Sequence, residues 1–91
     1  MFNVMRRALA CLSLLAVTAA WAQTPKAVLV APGAYMVQGV SALGSAANRN
    51  FISNAGFVVT PQGVVVIDAL GAPALAAELI AAIRAVTPAP I

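Results

Sequence analysis

The chain is 91 residues long and 63% hydrophobic, with five basic residues, two acidic residues and a formal net charge of +3. It has one cysteine and no histidine. Nucleophile–His–acid catalysis is therefore excluded, and a zinc site, which needs about three His, Asp, Glu or Cys ligands, could draw only on Cys11, Asp68 and Glu78.

Residues 1–7 contain Arg6 and Arg7 and no acid, and an apolar run follows over residues 8–20. Ala20-Trp21-Ala22 then sets small residues at the two cleavage-determining positions. This is the arrangement of a secretory signal peptide, whose apolar core spans roughly 7–15 residues. A membrane-spanning helix would need about 20. Residues 1–22 are read as a signal peptide, and the product as exported, periplasmic or secreted.

Cleavage removes Arg6, Arg7 and Cys11. It leaves Lys26, Arg49 and Arg84 against Asp68 and Glu78, a net charge of +1. The high pI of the whole chain thus belongs to the leader and not to a nucleic-acid-binding face. Neither nucleic acid nor, after cleavage, a membrane is expected as a partner. Without a mature cysteine there is no disulfide and no thiolate metal ligand.

Residues 23–33 form a mature N-terminal segment. Val28-Leu29-Val30, closed by Pro32-Gly33, is either a flexible start or a short edge strand. Residues 34–40, with Tyr35-Met36-Val37, read as a strand. Residues 41–50 lack periodicity and are rich in Ser, Ala, Gly and Asn, which predicts a loop. Arg49 is an isolated charge there between Asn48 and Asn50, and a solvated turn is favoured over an anion-contacting loop. Residues 51–60 read as a long strand, with Gly56 marking a bulge or a close backbone approach.

The stretch from residue 54 to residue 87 organises the chain. Phe57-Val58-Val59 and Val64-Val65-Val66-Ile67 are strand-forming runs. Thr60-Pro61-Gln62-Gly63 between them has hairpin chemistry: proline pre-sets φ and glycine accepts a left-handed backbone. The second run is apolar at four consecutive positions, the pattern of a strand buried on both faces.

Residues 73–87 read as a helix. Pro73 suits its first position, and Pro88 and Pro90 end it. Leu75, Leu79, Ile83 and Val86 share one face with Ile80 at its border, while Glu78 and Arg84 lie elsewhere. A helix covering a sheet accounts for this pattern.

No Gly-x-Gly, Gly-x-Ser-x-Gly or phosphate-binding glycine loop is present. Once the leader is cleaved, 69 residues remain. At that size a core supplies only about 3–5 kcal/mol, and small proteins usually add staples. A sheet built from this chain alone would also expose apolar strand edges.

Asp68 closes the Val64–Ile67 run and is followed by Ala69-Leu70-Gly71. A hairpin ending in Val-Ile-Asp-Ala-Leu-Gly, then a helix, then Pro-x-Ile, resembles the start of a metallo-β-lactamase-fold hydrolase. The resemblance covers residues 33–91 and is most specific over residues 54–71. It implies an α+β fold of αββα layer type, with residues 34–91 as the N-terminal part of the domain, truncated before the His-x-His-x-Asp-His zinc motif.

The resemblance also implies that no residue of this chain is catalytic, cofactor-binding or a direct metal ligand. Read alone, Asp68 is a solvated loop acid or a turn-forming aspartate; under the resemblance it would instead support the metal-binding loop by hydrogen bonding. Zinc and a small-molecule substrate are expected only in a full-length form. Where the family often has Asp-Thr-Gly, this chain has Asp68-Ala69-Leu70-Gly71, so a threonine hydrogen bond is lost. The alternative reading is a small exported structural or binding module without catalytic activity.

Export has a direct check. Mass spectrometry of the periplasmic or secreted product should find Gln23 at the N-terminus, and intact Met1 in the membrane fraction would contradict the leader reading.

Overall fold

A computed structural model describes residues 24–91. The signal peptide expected over residues 1–22 lies outside the described residues. Four strands and one helix follow one another: β1 (Ala27–Ala31), β2 (Ala34–Val37), β3 (Ala55–Thr60), β4 (Gly63–Ile67) and α1 (Pro73–Val86). The strands form a single sheet in the order β1-β2-β3-β4, with every neighbouring pair antiparallel. The described residues are thus α+β, with one four-stranded sheet and one helix.

Each turn follows from local chemistry. Between β3 and β4, Pro61 and Gln62 form the two-residue loop of a hairpin in which Thr60 sits opposite Gly63. The Thr60 hydroxyl donates to the Gly63 carbonyl at 2.8 Å and accepts from the Gln62 N–H at 3.2 Å. Gly63 has φ +145°, a value that L side chains rarely adopt. Pro32 and Gly33 join β1 to β2, and the Gly33 carbonyl accepts from the Val59 N–H at 2.8 Å, which locks this turn onto β3. The Val28–Val30 run is therefore an edge strand rather than a flexible start, and its irregularity falls between Leu29 and Ala31.

Two expected strands are shorter in the structure. β2 ends at Val37 and β3 begins at Ala55, because their prolongations meet through loop contacts instead of a ladder. The Val40 N–H donates to the Phe51 carbonyl at 2.7 Å, and the Gly39 N–H donates to Asn54 Oδ1 at 3.0 Å. A Cβ on Gly39 would lie 2.3 Å from the Ser53 carbonyl oxygen, so the two segments approach this closely only with glycine at that position.

Alternation along the strands selects one face for burial. Val37, Ala55, Phe57 and Val64 are buried from the sheet, with Leu75, Leu79 and Ile83 from α1 and Phe51 from the preceding loop. Tyr35 stacks on Phe57 with ring centroids 4.8 Å apart and planes 8° from parallel. The helix face expected at Leu75, Leu79 and Ile83 is the one that packs, whereas Val86, in the last turn, is 38% exposed.

The expectation that β4 is buried on both faces is contradicted. Val64 is buried, but Val65 is 56% exposed and Ile67 60% exposed. The reason is topological: β4 is the last strand of the sheet, and α1 covers only one side. An uninterrupted apolar run therefore signals two apolar faces, not two covered ones.

α1 begins without a side-chain cap. Ala72 is the N-cap residue and forms no capping hydrogen bond, and Pro73 occupies the first turn. The C-terminus is better held. The Thr87 N–H bonds the Ile83 carbonyl at 2.9 Å, and Arg84 Nη1 donates to the carbonyls of Thr87 and Ala89. Thr87 Oγ1 accepts from the Ala89 N–H at 3.1 Å. These bonds turn the chain back beside β4, where the Pro90 carbonyl accepts from the Val64 N–H at 2.8 Å.

A core this small leaves little margin. Leu79 is 2% exposed, and a buried Leu→Ala change typically costs about 2–5 kcal/mol, comparable with everything such a core supplies. Leu79→Ala should abolish cooperative urea unfolding followed by circular dichroism. Ile67→Thr, on the exposed face, should shift the midpoint only slightly, by less than about 0.5 kcal/mol.

Candidate functional site

Two loops meet at the carboxyl end of β4. The first, residues 68–72, joins β4 to α1. The second, residues 43–51, precedes β3. Gly71 lies against the Asn50 carbonyl, which would be 3.7 Å from a Cβ at that glycine. Among the described residues, the non-glycine positions with positive φ are Arg49 (58°), Asn50 (54°), Asp68 (68°) and Leu70 (67°). All four fall within this pair of loops. Left-handed backbone costs L residues energy unless the surroundings enforce it, and it collects at functional sites.

The second loop is enforced by Asn48, which is 6% exposed. Its Oδ1 accepts from the Ser45 N–H at 2.9 Å and the Asn50 N–H at 3.0 Å. Its Nδ2 donates to the Leu43 carbonyl at 2.9 Å, and its own N–H donates to Ser45 Oγ at 3.2 Å. The loop backbone thus folds around one amide side chain, which substitutes for a missing strand ladder. Sequence reasoning passed over this role. The detectable signal was the Ser45-x-x-Asn48 spacing, which places both side chains in reach of local backbone.

Arg49, expected in a solvated turn, pairs instead with the helix. Nη1 and Nη2 donate to Glu78 Oε1 and Oε2 at 3.1 and 2.6 Å, a bidentate arrangement. This hydrogen bonding raises the guanidinium pKa and lowers the Glu78 carboxyl below its ordinary value. The side chains remain 38% and 34% accessible, so solvent screens the pair. Its consequence is positional: it ties the second loop to α1.

Asp68 is exposed at the end of β4. Its Oδ1 accepts from the Leu70 N–H at 2.7 Å, an Asx turn that steadies two left-handed residues. Leu70 in turn packs, partly buried, against the core. Asp68 is thus a turn-forming aspartate in its local contacts. With Glu78 held by Arg49, Asp68 is the carboxylate this end of the sheet presents. Among the described residues, no group of three His, Cys, Asp or Glu side chains could hold a metal ion, and no helix is long and apolar enough to cross a membrane. Comparisons with protein-family models, curated proteins and solved structures found no match.

The ion pair makes a pH prediction. A carboxyl group whose pKa is depressed by folding stabilises the fold above its unfolded value, near 4.3. That contribution disappears as pH falls through the folded value. Stability should therefore decline on acidification below about pH 4.3, and in Glu78→Gln this pair's part of the decline should be missing. Urea midpoints from pH 7 down to pH 3 test the difference, and identical slopes in both proteins would refute it.

Proposed function

We propose that this chain forms the opening sheet and first helix of an exported, zinc-dependent metallo-β-lactamase-fold hydrolase domain of αββα layer type. In this reading Asp68 supports the metal-binding loop without binding metal itself. The observation that carries the reading is the position of Asp68 relative to the returning chain. β4 runs towards Asp68, α1 carries the backbone back to the start of β4, and the Pro90 carbonyl bonds Val64 there. A backbone leaving Ile91 in that direction runs parallel to β4. At roughly 3.3 Å per residue, about four residues bring it level with Asp68.

In layered α/β architectures the carboxyl ends of adjacent parallel strands are where sites are assembled. The left-handed backbone at Asp68 and Leu70 supports a site at this edge. The donor set described above does not hold zinc by itself, so Asp68 acts on neighbouring backbone: its carboxylate orders the residues 68–70 turn. In a protein that carries the His-x-His-x-Asp-His motif after Ile91, the same carboxylate would orient the loop that bears the ligands.

The competing reading is a small exported binding module, favoured by the exposed valine and isoleucine side chains of the uncovered sheet face. The coding sequence after the Ile91 codon separates the two readings. The motif within a few codons of a short strand supports the hydrolase, whereas an immediate genuine stop supports the module.

In the motif-bearing protein, Asp68→Ala should lower zinc occupancy or turnover by roughly 10–100-fold, the range for groups that orient metal ligands. Circular dichroism should remain native. Unchanged zinc content, measured by elemental analysis, together with an unchanged hydrolytic rate would return Asp68 to a turn-forming role alone.

A further inference from the structure

The hydrogen-bond phase of the ladders fixes which groups of β1 face outward. The Val59 N–H bonds the Gly33 carbonyl at 2.8 Å, and the β2–β3 register, extended by one residue, places Gly33 opposite Val59. Such a bond marks a hydrogen-bonded pair of an antiparallel ladder, and the phase repeats every second residue. Tyr35 therefore turns its N–H and carbonyl to β3. Met36 turns its own to β1, where Val28 is its partner. The N–H and carbonyl groups of Ala27 and Leu29 then face outward, along an edge that no strand covers among the described residues.

This outward row is complementary to itself. In an antiparallel pair of β1 strands with Val28 opposite Val28 of a second copy, Ala27 falls opposite Leu29 at both ends. All the outward groups of Ala27 and Leu29 in each copy are then bonded. Centring the pair on Leu29 instead would set Ala27 against Ala31, whose groups turn inward to Ala34. The side chains fit the same register. Val28 and Leu29 are exposed, and apolar pairs of Val28 with Val28 and Leu29 with Ala27 would cover them. β1 itself carries no charge. Lys26 would fall opposite Val30, four residues along from the other lysine, a separation of about 13 Å. That exceeds the screening length of about 8 Å at physiological salt. The irregularity between Leu29 and Ala31, followed by Pro32 with no N–H to offer, stops the ladder from running further.

We infer that β1 is a homodimer interface, in which two copies pair antiparallel about a two-fold axis at Val28. The product is one continuous sheet of both copies, with their α1 helices on the same side. A second copy is the occupant rather than an unrelated peptide, because the outward backbone groups, the apolar side chains and the position of Lys26 all match under one rotation. The backbone bonds and few apolar pairs make a small contact, so the dimer is reversible. This edge lies across the sheet from β4 and Asp68, and the inference stands apart from the hydrolase reading.

The test expresses the full 91-residue chain as wild type, as Val28→Lys and as Val28→Asp, and follows mass by sedimentation velocity over a range of concentration. The wild type should rise reversibly from one copy to two. Each variant alone should stay a single copy, since like charges would meet on the axis. Circular dichroism should remain that of the wild type, because Val28 is exposed. An equimolar mixture of the two variants should regain the dimer, as the charges on the axis are then opposite. A monomeric wild type, or association beyond two copies, would overturn the inference. So would variants that associate as the wild type does, which would assign the contact to another surface, or a mixture that stays monomeric.

Discussion

Among the described residues one helix covers one face of one sheet, and most of the structure follows from that constraint. α1 has 14 residues and contributes Leu75, Leu79 and Ile83 to the core. These three side chains meet the inward row of the strands, centred on Phe57, which is 1% exposed. The stack of Tyr35 on Phe57 joins adjacent strands within that row and adds a geometric preference to simple burial. Among the described residues nothing equivalent reaches the other face. Val28, Val65 and Ile67 on that side remain 49–60% exposed, more contiguous apolar surface than a soluble sheet usually leaves to water.

The parts of the fold legible in the sequence were those with local causes. Pro61 and Gly63 mark the hairpin because each has a defined backbone consequence, and Pro73 with Pro88 brackets the helix for the same reason. Leu75, Leu79 and Ile83 are spaced for one face, and they pack on one face. The misreading of β4 has an equally physical origin. Residue type reports whether a side chain favours leaving water, but coverage depends on which elements lie opposite, and those are set by the sheet order.

The candidate site was legible to a lesser degree. Asp68 stood out because a carboxylate follows four apolar strand residues, and its Asx turn agrees with the behaviour of aspartate after a strand. The partner of Arg49 was not readable, since Glu78 lies 29 residues away and no spacing rule connects a loop cation with a helix acid. Asn48 was hidden for a different reason. Its hydrogen bonds are local, but a loop of Ser, Ala, Gly and Asn looks the same whether it is solvated or wound around one amide.

The strand order β1-β2-β3-β4 bears on how the molecule is made. Every ladder joins neighbours in sequence, so loop-closure costs are small and pairing needs no distant segment. In a meander of this kind each strand finds its partner nearby in the chain, the topology that favours fast pairing. Its inward face is completed by α1, which follows the four strands in the chain. The Pro90–Val64 bond then ties the segment after α1 back to β4, and it spans as much of the chain as the bond from Val59 to Gly33.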